Sequence, residues 1–224
     1  MGLNVGKITH LFIDLDGTLV NSLPLLRSVY EDFLNEQGMI GSKKEFSQLK
    51  TSSIEKIIEY FKMKYTLHPP SLMLKKQYEM YLEKHYFKAP LFHGVKTFLH
   101  KAQKNDLKII LTTASQKEFA QKVLKLHQID SFFSEVITPS CLGHQKKDMG
   151  YYQDLLKRLQ LQATSPLVID DSLEVIASVT QMGLKAFLFS KINYHPLPCF
   201  GSWRILTREW FTYAQRTPLH LSRD

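Results

Sequence analysis

Cysteine is scarce: Cys141 and Cys199 are the only two in 224 residues. Two thiols cannot build a disulfide framework, so the fold must rest on a hydrophobic core, and the usage suits a reducing compartment. Long apolar runs are missing as well. No stretch approaches the roughly 18 apolar residues of a membrane helix, so no membrane partner is expected. The first apolar stretch, from Ile8, is a few residues long and runs into Asp14, which does not fit a signal peptide. A cytoplasmic location is the expectation. There is no internal repeat, no low-complexity tract and no run of five or six like charges. The formal net charge of +8 is carried by scattered lysines without a recognisable nucleic-acid module. It therefore argues for a solvated basic surface with some attraction for small anions, and against a nucleic-acid partner.

What is present is apolar material, 44% of the chain, enough for one sizeable α/β domain with a small insertion. Residues 8–13 read as a buried strand, with Leu11-Phe12-Ile13 ending at Asp14-x-Asp16-Gly17. After Ser22 the period is helical through Leu26, Val29, Tyr30, Phe33 and Leu34, with Gly38 at the stop. Ser52-x-x-Glu55 reads as a capping box ahead of Ile54, Ile57, Ile58 and Phe61. Pro69-Pro70-Ser71 precedes another helix, whose buried side is marked by Leu72, Tyr78, Tyr81, Leu82 and Tyr86. That aromatic stripe reads as core. No strand pattern occurs from 23 to 88, so an all-helical insertion is expected there.

From Gly94 onward helices and strands alternate. Val95, Phe98, Leu99 and Ala102 form a helix face, and 107–111 reads as a strand. Ser115-x-x-Glu118 reads as a second capping box. Strands are expected at 136–137, 167–169 and 186–189, with helices at 150–161 and through Val175, Ile176 and Val179. Residues 190–202 read as loop, 205–206 as a last short strand and 208–215 as a helix, with a mobile tail after Thr217. This pattern predicts a Rossmann-like, doubly wound, mainly parallel α/β sheet. Residues 1–22 plus 89–224 would form the core domain. Residues 23–88 would be a helical cap domain inserted above the C-terminal edge of the sheet.

The chemistry concentrates on that edge. Asp14 and Asp16 sit at i and i+2 of a strand end, so they share a face and repel each other unless a cation or a proton intervenes. Open α/β sheets bind ligands at this rim. Two more strands end there in polar residues, Thr112-Thr113 and Asp170-Asp171, and the loop Gln145-Lys146-Lys147, which lies before a helix, is expected to reach the same rim.

D-x-D-G-T-L-x-x-S after an apolar strand resembles the nucleophile motif of the haloacid dehalogenase superfamily. Three further motifs follow in the family's order across essentially the whole chain. Ile109-Ile110-Leu111-Thr112-Thr113 is similar to the second; Thr113-Ala114-Ser115 matches its strand-T/S-x-S pattern, with Thr112 as the alternative. The third is a lysine before an amphipathic helix. Here Lys146-Lys147-Asp148-Met149 lacks both prolines of the common K-P-x-P form; spacing to Tyr152 favours Lys146, and Lys147 competes. The fourth is similar to Asp170-Asp171-Ser172, with Val175 where some members carry another aspartate.

The resemblance, to the phosphoglycolate phosphatase and β-phosphoglucomutase branch, implies Mg²⁺-dependent hydrolysis of a small organic phosphomonoester. It implies that Asp14, the Asp16 backbone carbonyl and Asp171 hold Mg²⁺, with Asp170 as a direct or outer partner. Asp14 would attack phosphorus and form an aspartyl-phosphate, and Asp16 would act as acid and then as base. Thr113 and the Ala114 N–H would hold phosphoryl oxygens, and Lys146 would add a positive charge. Dehalogenases of the superfamily typically lack the second aspartate. A phosphomutase would share all of these residues. A non-enzymatic regulatory or binding protein on the same fold is a third reading, raised by the missing prolines and opposed by the intact acids. By the same resemblance 23–88 is a cap that selects the leaving group. Arg27 on its first helix is a candidate substrate-binding cation, and Lys50-Thr51-Ser52 a candidate loop.

Overall fold

The computed structural model describes residues 8–49, 52–163, 165–191 and 199–213, with side chains through Glu209. Six strands, β1 (His10–Ile13), β2 (Lys108–Thr112), β3 (Phe133–Ile137), β4 (Pro166–Asp170), β5 (Lys185–Phe189) and β6 (Cys199–Phe200), form one parallel sheet ordered β3-β2-β1-β4-β5-β6. The three central strands are apolar on both faces because helices cover both. Leu11, Ile13, Ile109, Leu111, Leu167 and Ile169 enter one cluster, and Phe12, Ile110 and Val168 enter the other.

Ten α-helices are present among the described residues. Four lie within residues 23–88: α1 (Leu23–Glu36), α2 (Lys43–Leu49), α3 (Ile54–Tyr65) and α4 (Ser71–His85). Phe33 stacks on Phe61 at 5.4 Å and meets the edge of Tyr78 at 5.4 Å, which holds α1, α3 and α4 together. The others are α5 (Val95–Lys104), α6 (Lys117–Leu126), α7 (Pro139–Leu142), α8 (Met149–Arg158), α9 (Leu173–Gln181) and α10 (Trp203–Tyr213). α5, α6 and α10 contribute to the first cluster, α8 and α9 to the second. None of the described helices is long and apolar enough to cross a membrane.

Several local expectations need correction. Residues 205–206 are helical, not a strand. Trp203, Leu206 and Thr207 are buried at i, i+3 and i+4, the period of one helix face. The last strand is 199–200 instead, inside the stretch read as loop, where it pairs with β5. α3 is capped by Ser53, whose hydroxyl accepts from the Lys56 N–H, and not by Ser52. Ser115 does not cap α6, which starts after Gln116. The short α2 and α7 had no clear periodicity to announce them. Residues 50–51, 192–198 and the tail after 217 lie outside the described residues.

Candidate active site

Register explains why the acids meet. Ile13 lies beside Leu111 of β2 and Ile169 of β4, so one step further Asp14, Thr112 and Asp170 stand level at the C-terminal rim. The chain then turns sharply, and the Leu15 carbonyl accepts from both the Leu19 and Val20 N–H groups. Gly17 makes the turn possible at φ +82°. A Cβ there would also lie 2.7 Å from Asp171 Oδ2, so glycine is required by both backbone and neighbour. Trp203 of α10 secures the turn from below, donating its indole N–H to the Thr18 carbonyl at 2.8 Å.

Of the two candidate lysines, only Lys146 enters the cluster. Its buried ammonium pairs with Asp14 Oδ1 and, at 2.6 Å, with Asp170 Oδ2. Lys147 points outward to Glu174 at 3.4 Å. The missing prolines are replaced by a hydrogen-bonded turn. The Gln145 N–H donates to the Asp148 carboxylate at 3.1 Å, and the Asp148 N–H donates back to the Gln145 carbonyl at 2.9 Å. Across the rim, Asp170 Oδ1 accepts from the Ser172 N–H at 2.8 Å, and Ser172 caps α9.

Asp16 is held by two hydroxyls. Ser22 donates to Oδ1 and Ser115 to Oδ2, each at 2.7 Å. In the sequence Ser115 ends the T-x-S pattern and also reads as a helix cap, and Ser22 ends the first motif; neither reading gives it Asp16 as a partner. The spacing T-x-S after β2 is the signal that marks Ser115. Thr113 is buried, but its Oγ1 accepts from the Ser115 N–H at 3.1 Å and the residue does not line the cavity; Ala114 does. Thr112, the alternative, is also buried and does not line the cavity; its hydroxyl lies against Tyr152. Arg27 is not brought to the site. It pairs with Glu31 one turn along α1 at 2.7 Å, while Leu23 and Leu26 of the same helix face the cavity.

A cavity of about 80 Å³ lies between the rim and the helices of 23–88. Asp14, Asp16, Asp170, Asp171 and Lys146 form its floor. Leu23, Leu26, Ser52, Ile54, Ile57, Tyr78, Leu82 and Tyr86 line it from above, and Ala114, Ser115, Gln116, Phe119 and Val175 line it from the sheet side. Tyr86 is core by its helical spacing and is 1% exposed; its hydroxyl lies against Asp16 and Ser115.

Electrostatics follow from burial and crowding. Burial pushes the Asp14 carboxyl well above the ordinary carboxylate range; Lys146 opposes this, and Asp170, Asp171 and Asp16 add to it. Burial works against the Lys146 charge, but Asp14 and Asp170 outweigh it and hold the ammonium above the ordinary lysine range. Among the described lining residues, four carboxylates share the cavity with one ammonium. Asp14, Asp170 and Asp171 each offer an oxygen within 4.8 Å of the others. An all-oxygen, carboxylate-rich donor set fits a hard divalent cation such as Mg²⁺.

Comparison with known proteins agrees with this geometry. The family model described as haloacid dehalogenase-like hydrolase matches residues 11–189. A phosphoglycolate phosphatase from Vibrio cholerae is 26% identical over 189 residues, covering 81% of this chain and 84% of the relative. The pyrophosphatase PpaX of Bacillus mycoides is 24% identical over 197 residues, covering 82% and 84%. A crystal structure of β-phosphoglucomutase from Clostridium difficile shares the fold, with a TM-score of 0.76 at 18% identity over 92% of this chain and 96% of that one.

Proposed function

The chain belongs to the haloacid dehalogenase-like hydrolases, and from that premise we propose that it is a Mg²⁺-dependent phosphatase acting on a small phosphomonoester through an aspartyl-phosphate. The observation that carries this reading is the convergence of Asp14, Asp16, Asp170, Asp171 and the buried Lys146 on one cavity at the strand ends. The phosphatase names of two relatives support it. Asp14, Asp170 and Asp171, with the Asp16 carbonyl, would hold Mg²⁺, which when bound neutralises phosphoryl oxygens that would otherwise repel a carboxylate.

The protein's own groups perform the rest. Asp14 attacks phosphorus in line; its new O–P bond forms as the bond to the leaving oxygen breaks. Asp16 gives that oxygen a proton and later takes one from the water that releases phosphate from Asp14. Ser22 and Ser115 fix the Asp16 carboxylate for both transfers. The Ala114 N–H holds a phosphoryl oxygen, and the Thr113 hydroxyl shapes the loop that presents it. Lys146 balances the charge that builds on Asp14 and the phosphoryl group.

Residues 23–88 act as a cap that excludes water from the cavity. Contacts across the gap support this role. Gln116 reaches Glu55 and Glu79 at 3.4 and 3.5 Å, and Lys122 reaches Glu83 at 3.1 Å. The test is Mg²⁺-dependent hydrolysis of para-nitrophenyl phosphate, abolished by Asp14→Asn and by EDTA. Folded protein that turns over no phosphoester in a broad panel with Mg²⁺ present would refute the proposal.

A further inference from the structure

Asp16 is reached from three separate stretches of chain. Ser22, at the entry into 23–88, donates to Oδ1, and Ser115, in the loop after β2, donates to Oδ2. The third stretch is the exit from 23–88, where a single 3₁₀ turn (Tyr86–Lys88) follows α4. Its first residue, Tyr86, is buried and lines the cavity. Its hydroxyl lies against both the Asp16 carboxylate and Ser115. A carboxylate has lone-pair sites for about four hydrogen bonds, so a third hydroxyl can join the two serines. A buried phenol needs such a neighbour, because bulk water cannot serve it.

The exit is tied to the core as well as to the helices above it. The Tyr86 N–H continues α4 by donating to the Leu82 carbonyl. Phe87 packs on Phe119 of α6 with ring centroids 5.8 Å apart, and the Lys122 ammonium sits 4.0 Å from the Phe87 ring centre. His127 Nε2 donates to the Ala89 carbonyl at 2.9 Å. The Pro90 carbonyl accepts from the Asn21 N–H at 2.8 Å, which joins exit to entry. The residues that follow Tyr86 therefore fix its ring beside Asp16.

We infer that Tyr86 is a positioning residue for the acid–base step: its hydroxyl keeps the Asp16 carboxyl aimed at the leaving oxygen. The inference rests on the phosphatase reading and adds a residue to it. Tyr86 exchanges no proton itself. A phenol, with an ordinary pKa of about 10, remains an O–H donor at neutral pH. As the bond from phosphorus breaks, the leaving oxygen keeps the bonding electron pair and takes the proton from Asp16. An acid held out of line transfers that proton less effectively.

The test is the ratio of kcat/KM for para-nitrophenyl phosphate to that for phenyl phosphate, with Mg²⁺, in the wild-type chain and in Tyr86→Phe. The two esters share a ring and differ in their need for an acid. Nitrophenolate leaves readily as the anion, whereas phenolate depends more on the proton from Asp16. Tyr86→Phe keeps the ring and removes one oxygen, and its thermal midpoint reports the fold. It is expected to lower kcat/KM about tenfold for phenyl phosphate and about twofold for para-nitrophenyl phosphate, so the ratio rises about fivefold. A ring that only packs would leave the ratio where it was. An unchanged or falling ratio overturns this inference and leaves the phosphatase reading standing; no turnover of any phosphoester by the wild-type chain overturns both. In Asp16→Asn, the initial release of nitrophenolate needs no proton and is expected to be unaffected by adding Tyr86→Phe. A further fall there places the hydroxyl on the substrate itself and overturns the positioning role.

Discussion

Replacing Lys146 with methionine keeps an extended, flexible stem and removes the ammonium. The side chains of Lys146, Asp14 and Asp170 are 4%, 8% and 2% exposed, so solvent cannot take over the role of counter-ion. Removing one partner of such a buried set leaves uncompensated charge and costs about 3–5 kcal/mol. The loss depends on pH. Burial already raises the Asp14 carboxyl, and Lys146 is the influence that lowers it; without Lys146 it rises further. An acid whose folded-state pKa is raised contributes stability that is fully present below its unfolded value, about 4, and is lost as pH rises through the folded value. The gap between variant and wild type should therefore be small near pH 4 and widen toward neutrality.

Mg²⁺ should act in the opposite direction, because a cation held by Asp14, Asp170 and Asp171 supplies the missing charge. Saturation at about a hundred times Kd adds about 2.7 kcal/mol to whichever form binds it. The assay is urea unfolding of both proteins in EDTA and in excess MgCl₂ across that pH range, with para-nitrophenyl phosphate turnover alongside. Equal stability at neutral pH in EDTA, or a gap that narrows as pH rises, would refute the charge-compensation argument.

Three further outcomes are expected. Ser115→Ala removes one of two hydroxyl donors to Asp16 and should lower kcat about tenfold with little change in thermal midpoint; an unchanged kcat would detach Ser115 from the acid–base step. Gly17→Ala forces a Cβ to φ +82° and to 2.7 Å from Asp171. It should cost about 1–3 kcal/mol and raise the Mg²⁺ concentration needed for half-maximal activity, as read by thermal unfolding and a metal titration. Trp203→Phe keeps most of the packing against Phe98 and Phe189 but leaves the Thr18 carbonyl without its indole donor, a loss of about 1–3 kcal/mol. Trp203→Ala should cost about 3–5 kcal/mol, and urea denaturation distinguishes the two.

Much of the architecture is legible along the chain because its signals are local. Leu11-Phe12-Ile13, Ile109-Ile110-Leu111 and Leu167-Val168-Ile169 are short apolar runs closed by polar residues, the pattern of strands covered on both faces. Val29, Phe33, Ile57, Phe61 and Tyr78 repeat at helical spacing and are buried accordingly. Where local signals compete, the sequence does not discriminate between them. Ser52 and Ser53 both suit a cap, and only the backbone turn selects Ser53. Residues 205–206 are apolar enough for a strand, but the burial of Trp203 and Thr207 around them is a property of the packed helix. α2 is short and mostly polar, so it has little periodicity to detect.

The chain alone determined the alternation of strands and helices, the parallel sheet that follows from it, and the chemical types delivered to the strand ends, because these depend on periods of two and 3.6 and on residues adjacent in sequence. Tertiary structure decided which partners meet. Lys146 and Asp14 are 132 positions apart, and Ser115 and Asp16 are 99 apart. Nothing in the neighbourhood of Lys147 reveals that it faces Glu174, and nothing beside Arg27 reveals that Leu23 and Leu26 take the cavity-facing side of α1. Those outcomes depend on sheet register and on how helices rotate when they dock. The same docking gathers the carboxylates around one buried lysine and sets the helices of 23–88 above them.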